Sequence, residues 1–163
     1  MSPIARVFAV AVATATVPAA ATAQGYILEK NITAALAQAL AKSVMECVPN
    51  GIGISVAVVD RSGQLRVLIR GDGSPPQGIE LARRKAYTAR VFRRPSLEWA
   101  KRTETGLAGQ RMLADVIPLG GGMPIKVGEE TIGGIGVSGV PGGQEADENC
   151  AKAALAKVAD QLK

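Results

Sequence analysis

Arginine is the chemistry-bearing residue that this sequence concentrates. Arg83, Tyr87, Arg90 and Arg94 recur at i, i+4, i+7 and i+11, which stacks them on one face of a helix, while Arg84, Lys85, Thr88 and Phe92 occupy another. A guanidinium beside an aromatic ring suits a ligand that carries carboxylates, because its planar fork donates two parallel hydrogen bonds to one. A solvated basic face explains the same pattern. Nucleic acid is not expected as a partner, since two Phe, two Tyr and one Trp are few for base stacking. Asp60, Asp72, Glu80, Glu98, Glu104, Asp115 and the Glu129-Glu130 pair are scattered, and no two of them read as acid and base, so no catalytic residue is assigned. The chain has no histidine, which removes a Ser-His-Asp triad and any imidazole ligand to a metal. Two cysteines about a hundred residues apart do not make a zinc site, and a metal ligand set stays unknown.

Two glycine clusters have other readings. Gly134-Ile135-Gly136-Val137-Ser138-Gly139 matches the G-x-G-x-x-G dinucleotide fingerprint, which must follow a strand and open a helix. Here it falls inside a strand pattern, so Gly134 and Gly136 instead leave one strand face bare for a helix or a flat ligand. Gly120-Gly121-Gly122 lacks the Gly-Lys-Ser/Thr ending of a phosphate loop, but offers backbone N–H groups to a carboxylate.

The elements that position these residues follow from periodicity. Residues 1–23 read as a signal peptide: Arg6, an apolar run from Val7 to Val17, then the small-x-small site Ala21-Thr22-Ala23. The domain is therefore 24–163, a periplasmic or secreted product with no stable membrane insertion after cleavage. A first helix begins near Asn31 or Thr33 and carries Ile32, Leu36, Leu40 and Val44 on one stripe until Pro49-Asn50-Gly51 stops it. Ile52, Ile54, Val56 and Val58 then alternate with Gly53, Ser55 and Ala57, a strand with one bulky face and one small face. Asp60-Arg61-Ser62-Gly63 turns it into a second strand through Leu65, Val67 and Ile69. The basic helix spans Gly78 to Arg94, with Ala82, Ala86 and Ala89 inward, and Ser96 caps a short stretch after Pro95. A strand at Ile117 to Leu119, a hairpin of Met123–Val127 with Thr131–Val140, and a final helix with Ala151, Leu155, Val158 and Leu162 complete the chain. This order predicts a single α+β domain with a roughly five-stranded antiparallel sheet flanked by helices. In an oxidising compartment Cys47 and Cys150 are expected to pair, each facing the core; two buried free thiols are the alternative.

Four ordered stretches resemble the GlcG/HbpS-like family, the haem-degrading domain also found at the C-terminus of PduO-type proteins. They are Ile54-Ser55-Val56-Ala57-Val58-Val59-Asp60 with Ser62-Gly63, Ile79 to Ala89 around Arg84-Lys85-Ala86-Tyr87-Thr88, Pro118-Leu119-Gly120-Gly121-Gly122-Met123-Pro124-Ile125, and Ile132 to Gly139 followed by Glu145 to Cys150. The resemblance implies a profilin-like layout of sheet and helices, homo-oligomers and, in some members, haem. It points to Arg84, Lys85 and Thr88 with Gly120, Gly121 and Gly122 as one ligand-facing region, with Thr88 or Tyr87 nearest a tetrapyrrole and Arg84 and Lys85 on its carboxylates. Arg83 and Arg90 are placed on the opposite, solvated face; Met112 and Met123 are possible thioether ligands. The expected function is an exported protein that binds haem or another anionic planar ligand. The alternatives are a non-catalytic accessory subunit of a periplasmic oxidoreductase or transport system and, third, a haem-degrading enzyme. A homo-oligomer is expected on size as well, since a chain this small buries limited area alone.

Overall fold

The computed structural model describes residues 25–163; the expected signal segment lies outside the described residues. Four strands, β1 (Ser55–Asp60), β2 (Leu65–Arg70), β3 (Gly122–Val127) and β4 (Glu130–Ser138), form one antiparallel sheet in the order β2-β1-β4-β3. Helices α1 (Ala34–Met45) and α4 (Gln144–Lys157) cover one face, α2 (Pro76–Phe92) covers the other, and α3 (Ser96–Arg102) follows α2. No helix among the described residues is long and apolar enough to cross a membrane.

The alternation in β1 decides which helix goes where. Val56 and Val58 point into the main core with Leu36, Leu40 and Val44 of α1, Ile135 and Val137 of β4, and Ala151 and Ala154 of α4. Ala57 and Val59 face the other way, against Ala82 and Ala86 of α2. Cross-strand register extends this small-residue surface: Ala57 pairs with Gly136 and Gly136 with Gly122, so three strands present almost no side chain beneath α2. A Cβ at Gly136 would collide with the Ala82 carbonyl, one at Gly134 with that of Ala86, and one at Gly122 with that of Lys85. The G-x-G-x-x-G run is thus a helix seat within β4, as its strand context indicates.

Three expectations are corrected. Ile117 to Leu119 is not a strand, so the sheet has four strands rather than five. The segment bonds to a side chain instead: the Ile117 amide donates to Thr88 Oγ1 at 2.9 Å. The first strand begins at Ser55 because Gly53 adopts a φ of +81° and its amide donates to the Asp72 carbonyl. Ser96 does not cap α3; Pro95 occupies that position, and Ser96 Oγ accepts from the Gly122 amide at 2.8 Å.

Cys47 and Cys150 are bonded, with Cα atoms 5.9 Å apart, and tie the end of α1 to α4. Cys150 faces the core, whereas Cys47 lies just past the last turn of α1 and is exposed. A buried ion pair joins the helices of the two faces across β4. Lys85 Nζ, on α2, donates to Asp147 Oδ2 of α4 at 2.7 Å and to the Val137 carbonyl of β4 at 3.0 Å. The other carboxylate oxygen accepts from the Val140 amide. Burial pushes the Asp147 carboxyl above the ordinary aspartate range, while the Lys85 hydrogen bond and charge pull it back.

Two stability outcomes follow. Lys85→Met leaves a buried carboxylate uncompensated and is expected to destabilise by about 3–5 kcal/mol in denaturant unfolding, with Lys85→Met/Asp147→Leu recovering much of the loss. An additive double variant would show that the pair is not coupled. Removing the disulfide releases a loop closed over a sequence separation of 103 residues, for which chain entropy gives up to about 4–5 kcal/mol; urea midpoints of the oxidised protein and the Cys47→Ala/Cys150→Ala variant measure it.

Candidate functional site

The residues singled out on α2 do not share one surface. Lys85 is 3% exposed and fully engaged by Asp147 and Val137. Thr88 is buried; its hydroxyl donates to the Arg84 carbonyl at 2.8 Å and accepts from Ile117. Arg84 reaches the Val116 carbonyl through Nη2, and its buried Nε has no partner among the described residues. Tyr87 lies elsewhere, packed on the β1–β2 turn, where a Cβ at Gly63 would come within 2.7 Å of its ring. The turn needs glycine there twice over, since Gly63 has a φ of +82°.

The triple-glycine loop does meet α2, but as packing rather than as a cleft. The Gly120 amide donates to Gln144 Oε1 at 2.5 Å and that of Gly122 to Ser96, so two of the three N–H groups are taken from within the chain. Gly121 has a φ of +115°, and a Cβ there would sit 2.6 Å from the Val137 carbonyl and 3.1 Å from Lys85 Nζ. These contacts fill the space between helix and loop. The expected ligand-facing region is therefore a closely packed junction in which Lys85 is paired with Asp147, while the Nε of Arg84 has no partner among the described residues.

Open space lies one and a half turns further along, at the corner between α2 and α3. Phe92 stacks on Trp99 with ring centroids 4.6 Å apart, and Trp99 is 2% exposed, so the corner is anchored from below. Arg94 is held by its own neighbours, donating to Glu98 at 2.8 Å and to the Phe92 carbonyl. Beside it a groove of about 610 Å³ runs between the corner, β3 and the end of the chain. Pro95, Pro124, Leu155 and Leu162 give it apolar walls, Met123 adds a thioether, Arg93, Arg94 and Lys126 add three cations, and Glu98 adds one carboxylate, which pairs with Arg94. Its size lies within the roughly 300–1,000 Å³ of small-molecule sites. Met112, by contrast, is 87% exposed in the segment after α3 and does not line this groove.

Helical spacing does not single out Arg93 or Lys126, and Arg90 departs from the solvated face expected of it: its Nε is buried and unpartnered among the described residues. Only Arg83 fits that description, paired on the surface with Glu80 and Asp115. The signal that could have found the groove was the end of the basic helix, where Arg93-Arg94-Pro95 stops α2 with three polar or rigid residues in a row.

Comparison with known proteins agrees with this fold. Residues 32–156 match the family model described as haem degrading protein HbpS-like. Protein GlcG of Escherichia coli K12 is 33% identical over 108 residues, which span 63% of this chain and 81% of GlcG. The crystal structure of HbpS superposes with a TM-score of 0.78 at 35% identity, covering 85% of this chain and 98% of HbpS. The crystal structure of a PduOC:heme complex superposes with a TM-score of 0.70 at 26% identity, covering 78% of this chain and 94% of that one. With the family model spanning sheet and helices alike, the chain belongs to the HbpS-like family.

Proposed function

We propose that this protein is an exported binding protein for haem or another anionic planar ligand, taken into the groove at the α2–α3 corner. The observation that carries the reading is the lining: four apolar residues, a thioether and three cations against one carboxylate, Glu98, which pairs with Arg94, around about 610 Å³. A tetrapyrrole dicarboxylate asks for that combination, with apolar walls on the ring, Arg93, Arg94 and Lys126 for the carboxylates, and Met123 as the sulfur donor the lining offers to iron. Bound haem would supply redox-active iron; the residues of this chain bind, orient and shield it. The likeness to a structure that contains haem supports the same ligand class. The α2–loop junction, with Arg84, Lys85, Tyr87, Thr88 and Gly120 to Gly122, serves in this reading as the scaffold that fixes the corner.

Export is supported by the Cys47–Cys150 bond, a feature of oxidising compartments. Self-association is part of the proposal, and its support is apolar surface: Tyr26, Ile27 and Leu28 are 62%, 79% and 92% exposed in an extended N-terminal arm. Exposed consecutive apolar residues of this kind mark interaction surfaces. The same arm also suits a different subunit, the accessory reading.

Haem titration of residues 24–163 tests the ligand. A saturable Soret shift with one haem per chain is expected, and Arg94→Gln/Lys126→Gln should weaken binding by about 1–3 kcal/mol, the scale of charge-assisted hydrogen bonds. Loss on Arg84→Ala with the groove variants unaffected would move the site to the α2–loop junction; no Soret change would sink the haem reading. Decay of the bound Soret band with reductant and oxygen would mark turnover instead of storage. Light scattering is expected to give a multiple of the chain mass, and a concentration-independent single-chain mass would count against self-association.

A further inference from the structure

A second, smaller recess lies on the other side of Arg93. It encloses about 170 Å³ and is lined by Arg61 of the β1–β2 turn, Arg90 and Arg93 at the end of α2, Glu129 of the β3–β4 turn, and Glu130 and Thr131 of β4. Three guanidiniums converge there, but they are not equivalent. Arg61 is neutralised by Glu29 at 3.2 Å and by Glu130 at 2.5 Å. Arg90 and Arg93 make no ion pair among the described residues, and Glu129, exposed at the turn, makes none either.

Two donors within this lining are buried without a partner among the described residues: Arg90 Nε and the hydroxyl of Thr131, a residue only 7% exposed. Unsatisfied buried polar groups are uncommon, and a cation withdrawn from water without a counter-charge is costly. Burial first, then repulsion from Arg61 and Arg93, holds the Arg90 guanidinium below its ordinary pKa, with Asp60 and Glu29 acting in the opposite sense. Arg93 adds a backbone observation. It caps α2 in the left-handed region, φ 56° and ψ 31°, a conformation that favours glycine. The chain thus directs a charged side chain toward this recess from a position whose backbone would be easier without one.

We infer that this recess binds a compact, doubly charged oxyanion of the phosphate class, held by the guanidiniums of Arg90 and Arg93 and by the Thr131 hydroxyl. An anion here neutralises both unpaired cations, beside two residues, Arg90 and Thr131, that each carry a donor without a partner among the described residues. Guanidinium forks match the oxygens of a tetrahedral oxyanion in pairs, whereas a monocarboxylate would engage one fork and leave the other unmatched. The volume excludes a tetrapyrrole, so the ligand differs from that of the groove, although Arg93 lines both.

Calorimetric titration of the mature chain with inorganic phosphate, at constant ionic strength in an amine buffer, tests the site. Saturable binding of one phosphate per chain is expected, with a shift of the Arg90 Nε–H resonance in nitrogen–proton correlation spectra. Arg93→Gly should weaken binding roughly tenfold or more, the scale of a lost charged hydrogen bond, while leaving unfolding stability equal or higher because glycine suits that φ. Thr131→Val should weaken phosphate without loss of stability, and Glu129→Gln should tighten it. Arg94→Gln, which touches only the groove, should leave phosphate affinity unchanged. A phosphate monoester that binds as well as inorganic phosphate supports the same class and identifies an esterified ligand. Absence of saturable binding at millimolar phosphate overturns the inference, as does unaltered affinity in Arg93→Gly, or acetate binding as tightly as phosphate.

Discussion

Everything in this molecule rests on how closely α2 can approach the sheet. Gly122, Gly134 and Gly136 remove the side chains that would otherwise hold the helix off, and carbonyls of Ala82, Lys85 and Ala86 occupy the space where their Cβ atoms would be. Small residues on the helix complete the fit, since Ala82, Ala86 and Ala89 are all fully buried. A contact built from backbone against backbone leaves little room for adjustment, because interiors are packed near crystal density and a single added carbon must displace something.

That constraint explains why Lys85 is used inside the fold. The helix is near enough to β4 for its ammonium to reach the Val137 carbonyl and Asp147 across the edge of the glycine surface. Ser96 bonds to Gly122 and Thr88 to Ile117 along the same seam. Polar networks of this sort fix a register that apolar packing alone leaves looser, and they withdraw their members from ligand chemistry.

The consequence is a division of labour along α2. Its middle is committed to the sheet, while its C-terminal end emerges between β3, the β3–β4 turn and α4, carrying Arg90, Arg93 and Arg94 outward. Arg93 stands between the two cavities and belongs to the lining of both. The stacked Phe92–Trp99 pair and the Arg94–Glu98 bridge brace the corner from which these cations extend.

The sequence by itself determined the local architecture: the alternation in β1, the Asp60–Gly63 turn and the glycine face of β4, with the helix start narrowed to Asn31 or Thr33 and the cysteines expected to pair. These are short-range patterns, in which the side-chain period names the buried face and turn chemistry names the ends. Tertiary structure alone decided what each charge does. Helical spacing put Lys85 beside Arg84 and Arg90 beside Arg83, yet Lys85 became a buried strut, Arg83 a surface ion pair and Arg90 the unpartnered wall of a recess. The partners responsible, Asp147, Asp115 and Thr131, lie 62, 32 and 41 residues away in sequence from the groups they meet or accompany. A basic residue on a helix has the same local signature whether it faces solvent, a carboxylate or a cavity, because its burial is fixed by elements that only the folded chain brings together.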